Sequence, residues 1–275
     1  MKLNRAIAGY VLAGIAMLLI FLYLRFPGAA LKDYVTAVAT ARYPRSSFSV
    51  DAIRPSFPPG LALSDITVAL RDRPEAILHA ESLNVRPGGL SLLKGRYAIV
   101  MAAEGYGGKA GARIDFSRPF SFRGPLSLTG NIRDIRVEKC AWFREVLARQ
   151  ITGTLKGSIA FSGTAGVLKS GTGNVDFTLT NGTYTLLESF LGFEKIDFAR
   201  VEGKATFRNG ALKINQLTLN GDKLRCSLKG NILLADDIRE SQIDLNGTIE
   251  IPVQGNRRMA LTIGGTLGNP KLRFM

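Results

Sequence analysis

The sequence is poor in the residues that catalysis draws on. In 275 residues it holds one histidine, His79, and two cysteines, Cys140 and Cys226. The cysteines form no CxxC pair and have no histidine company, which excludes the usual zinc site and a Cys–His nucleophile. No HExxH, GxSxG or P-loop is present. The closest approach to an acidic cluster is Asp236, Asp237 and Glu240 in "LADDIRES", a polar stretch read as a solvated turn. Tyr106-Gly107-Gly108 and Gly264-Gly265 lack the strand-to-helix setting of a dinucleotide loop and are read as turns. The sequence therefore points away from an enzyme, with no catalytic, cofactor-binding or metal-binding residue to name and no cofactor.

Acidic residues are also scarce, 22 against 36 basic ones, for a net charge of +14. The excess is not gathered into a stripe, and no basic run is interleaved with aromatics. A nucleic-acid footprint would need one, so nucleic acid is not an expected partner. A diffuse positive field suits an anionic membrane surface better.

Charge is missing altogether from Ala6 to Leu24, "AIAGYVLAGIAMLLIFLYL". As a helix this stretch spans about 28 Å, close to the hydrocarbon thickness of a bilayer. Gly28 and Ala30 would suit a signal-peptide cleavage site. The apolar run exceeds the usual signal core, however, and Arg25 and Pro27 intrude before that site, so a retained anchor is the expectation. The resulting organisation is a cytoplasmic tail at 1–5, a transmembrane helix at 6–24, a juxtamembrane helix at 25–43 and an exported β domain at 44–275, with a soft division near 150. In the juxtamembrane segment Leu31, Tyr34, Val35 and Val38 share one helix face. That face lies on the membrane, docks a partner or packs on its own domain.

Beyond Tyr43 the chain is a series of short alternating segments punctuated by Gly, Pro and Asn. Asn181-Gly182, Asn209-Gly210, Asn220-Gly221 and Asn246-Gly247 read as two-residue hairpin turns. Asn181 and Asn246 also match the glycosylation pattern, but the turn reading already explains them. The regularity favours a long antiparallel meander, with a Greek-key sandwich as the alternative. Two amphipathic segments interrupt it, "EKCAWFREVLARQ" (138–150) and "TLLESFLGF" (185–193), each read as a short helix. In "KATFRNGALKINQLTLNG", Leu212 and Ile214 fall on even positions and Leu217 and Leu219 on odd ones. One strand face holds all four only with an extra residue near Asn215-Gln216, so a β-bulge is predicted there. Cys226 is in phase with Leu224 and Leu228, on a buried strand face where a free thiol acts as a small apolar group. In an oxidising compartment it would alternatively pair with Cys140.

Certain stretches resemble known families. "FLYLRFPGAALKDYV" after the apolar run is similar to the start of type II secretion system protein N in its form with a long exported domain. "AESLNVRPGGLSLLKG" resembles the repeating unit of that family and of AsmA-like proteins, and residues 201–234 with the closing "IGGTLGNPKLRF" look like an AsmA-type carboxy-terminal module. The resemblance covers most of the chain. It implies a mainly β protein, an elongated curved antiparallel sheet forming a groove or half-barrel, held in the bacterial inner membrane with its bulk in the periplasm. It further implies a structural, accessory role in type II secretion through contacts with other secretion proteins. The alternative it carries is a groove that binds acyl lipid in envelope lipid transport or outer-membrane biogenesis. No family catalytic residue comes with it, and this chain is much shorter than the AsmA-like proteins that bridge an envelope.

Overall fold

A computed structural model describes residues 2–71, 73–89, 97–117, 124–147, 149–164, 167–190, 193–252 and 257–274. Two helices open the chain, α1 (Lys2–Leu24) and α2 (Gly28–Arg42), and a third, α3 (Ala141–Leu147), interrupts the β region. The strands are β1 (Ser46–Ser49), β2 (Ala52–Ser56), β3 (Gly60–Leu70), β4 (Arg73–Pro87), β5 (Tyr97–Gly105), β6 (Gly108–Phe116), β7 (Pro125–Arg136) and β8 (Thr154–Thr164). There follow β9 (Val167–Phe190), β10 (Phe193–Arg208), β11 (Ala211–Asn220), β12 (Arg225–Leu233), β13 (Gln242–Ile251), β14 (Arg257–Thr266) and β15 (Asn269–Phe274). All belong to one antiparallel sheet. From β3 onward each strand pairs with its predecessor, while β1 and β2 share the outer edge of β3 end to end. The chain is thus a meander, not a Greek-key sandwich.

The sheet is strongly rolled. α3 touches both β4 and the 3-10 turn Ile238–Glu240 between β12 and β13. In a flat sheet β4 and β12 would lie about 40 Å apart, whereas a seven-residue helix is about 10 Å long. Only a sheet that curls around α3 brings them to it. The side facing α3 is the apolar one: Phe143 packs on the buried cluster of Val137, Leu179 and Phe198, as do Leu155, Val201 and Leu219 of the sheet.

Asn215 bends the sheet locally as expected. Lys204 pairs with Gln216 but Ala205 pairs with Ile214, so Asn215 is the extra residue, and the shift recurs against β12 between Ile214 and Leu217. Asn209-Gly210 forms the predicted tight turn, with both residues at positive φ, joining β10 to β11. Asn220-Gly221 opens a longer β11–β12 loop, closed by the Gly221 amide donating to the Leu224 carbonyl.

Other expectations are corrected. Asn181-Gly182 and Asn246-Gly247 are not turns but lie inside β9 and β13. Asn181 takes the left-handed conformation just past the point where β8 begins beside β9, and Gly247 sits where a Cβ would run into the Ser227 carbonyl of β12. These glycines serve a close approach of strands rather than a reversal. Gly264-Gly265 likewise lies in β14, the reversal to β15 following Thr266. The segment 185–193 is not a helix: its described part extends β9 and β10 as a paired hairpin, cross-strand pairing overriding local helix periodicity. The segment 138–150 is helical over part of its length, as expected, with the 3-10 turn Val137–Lys139 followed by the helix Ala141–Leu147.

α2 occupies the juxtamembrane segment, and its face divides. Leu31 and Val35 pack on the cluster of Val50, Ile53, Leu63 and Ile66, while Tyr34 and Val38 stay exposed. α1 is one unbroken helix, and its described apolar side chains, among them Tyr10, Met17 and Leu24, are exposed. Among the described residues no helix is long and apolar enough to cross a membrane.

Candidate functional site

Strand alternation sorts the side chains of the sheet into two faces. The register carries one apolar face from strand to strand: Leu83 and Val85 of β4 pair with Ala103 and Met101, which pair with Ala110 and Ala112 of β6. Ile114 pairs with Leu128, Leu128 with Phe161, and Ile159 with Val175, which pairs with Ala205. Leu217 opposite Leu228, and Leu245 opposite Ile263, continue it toward β14. The other face carries Lys, Arg, Asp, Glu, Asn, Ser and Thr. Its charges meet in exposed pairs, such as Lys109–Glu104 at 2.8 Å and Lys156–Asp134 at 3.1 Å. Such pairs keep the outside soluble and add little stability.

The inner face is filled at both ends and open between. Toward the C-terminus Ala205, Ile214, Leu224, Leu228, Ile243, Leu245, Ile249 and Leu261 form one buried cluster, and Ile251 is fully buried. At the other end α2 covers the cluster around Ile53 and Leu63. Between them, over β5 to β8, the inner-face residues are only half-buried, and Ile159 is 41% exposed. Beside this stretch, over β8–β10, two aromatic rings lie against neighbouring glycines. A Cβ at Gly171 of β9 would meet the Phe161 ring of β8, and one at Gly203 of β10 the Phe177 ring of β9. These glycines let the rings lie flat on the sheet.

One end of the open section is closed by a small latch. The β5–β6 turn places Tyr106 and Gly107 at positive φ. From there the Tyr106 hydroxyl accepts the His79 backbone N–H at 2.6 Å. It also shares a hydrogen bond with Cys140, just ahead of α3, and burial pushes its pKa up to about 12. The histidine ring lies between Thr67 Oγ1, 3.4 Å from Nδ1, and Asp65 Oδ1, 3.9 Å from Nε2. This has the order of a hydroxyl–imidazole–carboxylate relay, but both separations are long and Asp65 is mostly exposed, so the base is not oriented.

The remaining candidates have no chemistry of their own. Asp237 Oδ1 accepts the Arg239 amide and caps the 3-10 turn Ile238–Glu240, the turn expected of Asp236, Asp237 and Glu240. Cys140 and Cys226 are free thiols, so the disulfide alternative is not realised; burial pushes Cys226 up to about 11. A cavity of about 1020 Å³ between α2 and strands β1 and β3 has a mixed lining, with Lys32, Asp33, Asp51 and Asp65 beside Ala37, Ala41 and Val50. Among the described residues no group of His, Cys, Asp or Glu is arranged to hold a metal ion. The sequence reading missed the Tyr106–His79–Cys140 latch. Its signal was only the Tyr-Gly pair at positions that a tight hairpin requires to be left-handed.

Comparison with known proteins gives no match: no family model, no curated protein and no solved structure resembles this chain.

Proposed function

We propose that this protein binds acyl lipid in the rolled sheet, held at a membrane by its N-terminal helix. One observation carries the reading. The sheet is apolar on one face only, and over β5–β7 and around Ile159 of β8 the residues of that face are only half-buried, while Leu155 of β8 packs with Phe143 of α3 on the Val137 cluster. An uncovered apolar floor inside a curved wall is an unfavourable surface in water and a favourable one for hydrocarbon. The uncharged run Ala6–Leu24 within α1, with its exposed apolar side chains, suits an anchor in the bacterial inner membrane. The β domain then stands in the periplasm. The protein extracted in detergent and analysed by native mass spectrometry is expected to carry lipid; a preparation free of lipid overturns the reading.

A second reading is an accessory role in type II secretion, favoured by the edge at β15. This strand pairs with β14 on one side and ends the sheet. Pro270, Lys271 and Arg273 discourage pairing with a second copy and leave the edge to a partner of complementary charge. The test is export of a secreted substrate after removal of the gene: retention in the periplasm supports the role, and unaltered export removes it. Neither reading assigns catalysis, a cofactor or nucleic-acid binding.

A further inference from the structure

Resting on the reading of α1 as a membrane anchor, we propose a second membrane contact: the β2–β3 turn, Phe57-Pro58-Pro59, seats in the headgroup layer of an anionic bilayer beside that anchor. The first element is an exposed apolar tip. Ser56 pairs with Gly60, so the three residues between them form the reversal from β2 to β3. All three are exposed, and Phe57, at 93%, is more so than any other large hydrophobic side chain described. A lone apolar residue on a surface is ordinary, whereas three in succession at the point of a hairpin form a wedge. Each proline also removes a backbone N–H, which lowers the cost of placing the turn where water is scarce.

The second element is place. Phe26, two residues beyond the end of α1, packs on the cluster of Val50, Ile53, Leu63 and Ile66. Gly28 lies against the Ile53 carbonyl, where a Cβ would collide. The chain leaving α1 is therefore fixed to β2 at Ile53, with no slack between anchor and domain. From Ile53 the chain runs four residues to Phe57, about 13 Å. α2 leaves the same joint in the opposite sense: it packs on β2 and β1, and past its end the Tyr43 carbonyl accepts the Ser46 amide as the chain turns into β1. The tip thus projects past the anchor joint, while Tyr43 lies about 22 Å from it at the far end of α2.

The third element is charge. Residues 52–63 and 82–89, which bring β2, β3 and β4 to this end, hold Arg54 and Arg86 and no acidic residue. Both arginines are exposed, and a Cβ at Gly60 would sit 3.0 Å from that of Arg86, which sets Arg86 beside the turn. Arg25, also exposed, follows the anchor directly. An aromatic ring at the acyl boundary with guanidinium groups among lipid phosphates satisfies both chemistries at once.

The experiment uses the full-length protein reconstituted in vesicles of phosphatidylglycerol and phosphatidylcholine, with Trp142→Phe removing the one native tryptophan. Phe57→Trp and Tyr43→Trp are compared by quenching with lipids brominated near the top of the acyl chain. Both positions are exposed, so neither substitution displaces packing. Quenching is expected to be several-fold stronger for Phe57→Trp, and to fall at least two-fold in phosphatidylcholine alone. Vesicle-bound protein with no quenching of Phe57→Trp overturns the second contact, leaves the anchor intact and frees the tip for a protein partner. Equal quenching of the two variants overturns the tip by laying the whole of α2 on the bilayer. Quenching that ignores phosphatidylglycerol overturns the role of the arginines. Protein that does not float with vesicles overturns the anchor reading instead.

Discussion

The hydroxyl of Tyr106 accepts the backbone N–H of His79 across a gap of 2.6 Å, tying the β5–β6 turn to a stretch of β4 that β5 does not reach. β4 pairs with β5 only from Ser82 onward, so this amide would otherwise lack its ladder partner on that side. Tyr106→Phe removes the acceptor and the contact with Cys140. The expected loss is about 1–2 kcal/mol of unfolding free energy, read by urea titration. An unchanged midpoint would show that the latch carries no stability.

The same tyrosine predicts an alkaline weakness. Its pKa is held up at about 12, above the ordinary 10.0, chiefly by burial. The unfolded chain therefore loses this proton first as pH rises. Stability is full below pH 10 and falls between about 10 and 12. Cys226, pushed by burial from 9.0 to about 11, adds a decline from pH 9. Thermal melts from pH 8 to 11.5 should fall less steeply for Tyr106→Phe than for the wild type, and parallel curves would remove Tyr106 from the account.

The bulge at Asn215 shows how much of the fold was legible. Period-two alternation marked most strands, and its one slip, from even Leu212 and Ile214 to odd Leu217 and Leu219, located the bulge to the pair Asn215-Gln216, of which Asn215 is the extra residue. The Asn-Gly pairs were less reliable, because glycine answers two needs that look alike in sequence. At Asn209-Gly210 it permits a left-handed turn, and at Gly247 it lets two strands approach. What alternation could not reveal was which stretch of the apolar face is filled. Leu228 and Ile159 obey the same pattern, and only the roll of the sheet decides that one is core and the other floor.

Deleting Asn215 would remove the bulge and leave Leu212, Ile214, Leu217 and Leu219 in strict alternation on the apolar face, so only the local bend is lost. The deletion is expected to preserve cooperative unfolding, at a cost of about 0.5–3 kcal/mol. Asn215→Ala keeps the residue count and loses only an exposed hydrogen bond to Thr206, so its cost should stay below about 1 kcal/mol. Circular dichroism melts of the two variants separate bend from side chain.

Close approach makes Gly247 and Gly264 a controlled pair. A Cβ at Gly247 would collide with the Ser227 carbonyl, whereas one at Gly264 would sit 3.9 Å from its nearest neighbour, the Ile243 carbonyl. Gly247→Ala must push β12 from β13 and is expected to cost about 1–3 kcal/mol or more. Gly264→Ala should lie within about 0.5 kcal/mol of the wild type. Equal effects would contradict the described strand spacing.

The last prediction asks whether core and floor differ in energy as they do in burial. Leu228 is packed among β11–β13 side chains, so Leu228→Ala leaves a cavity and is expected to cost about 2–4 kcal/mol. Ile159, 41% exposed, has few neighbours to lose, and Ile159→Ala in delipidated protein is expected to cost less than about 1 kcal/mol. Added lipid reverses the comparison. A ligand that binds only the folded state raises the melting temperature in proportion to its affinity, and Ile159→Ala should reduce that rise while Leu228→Ala leaves it intact. If lipid stabilises both variants as it does the wild type, the floor around Ile159 is not where lipid lies.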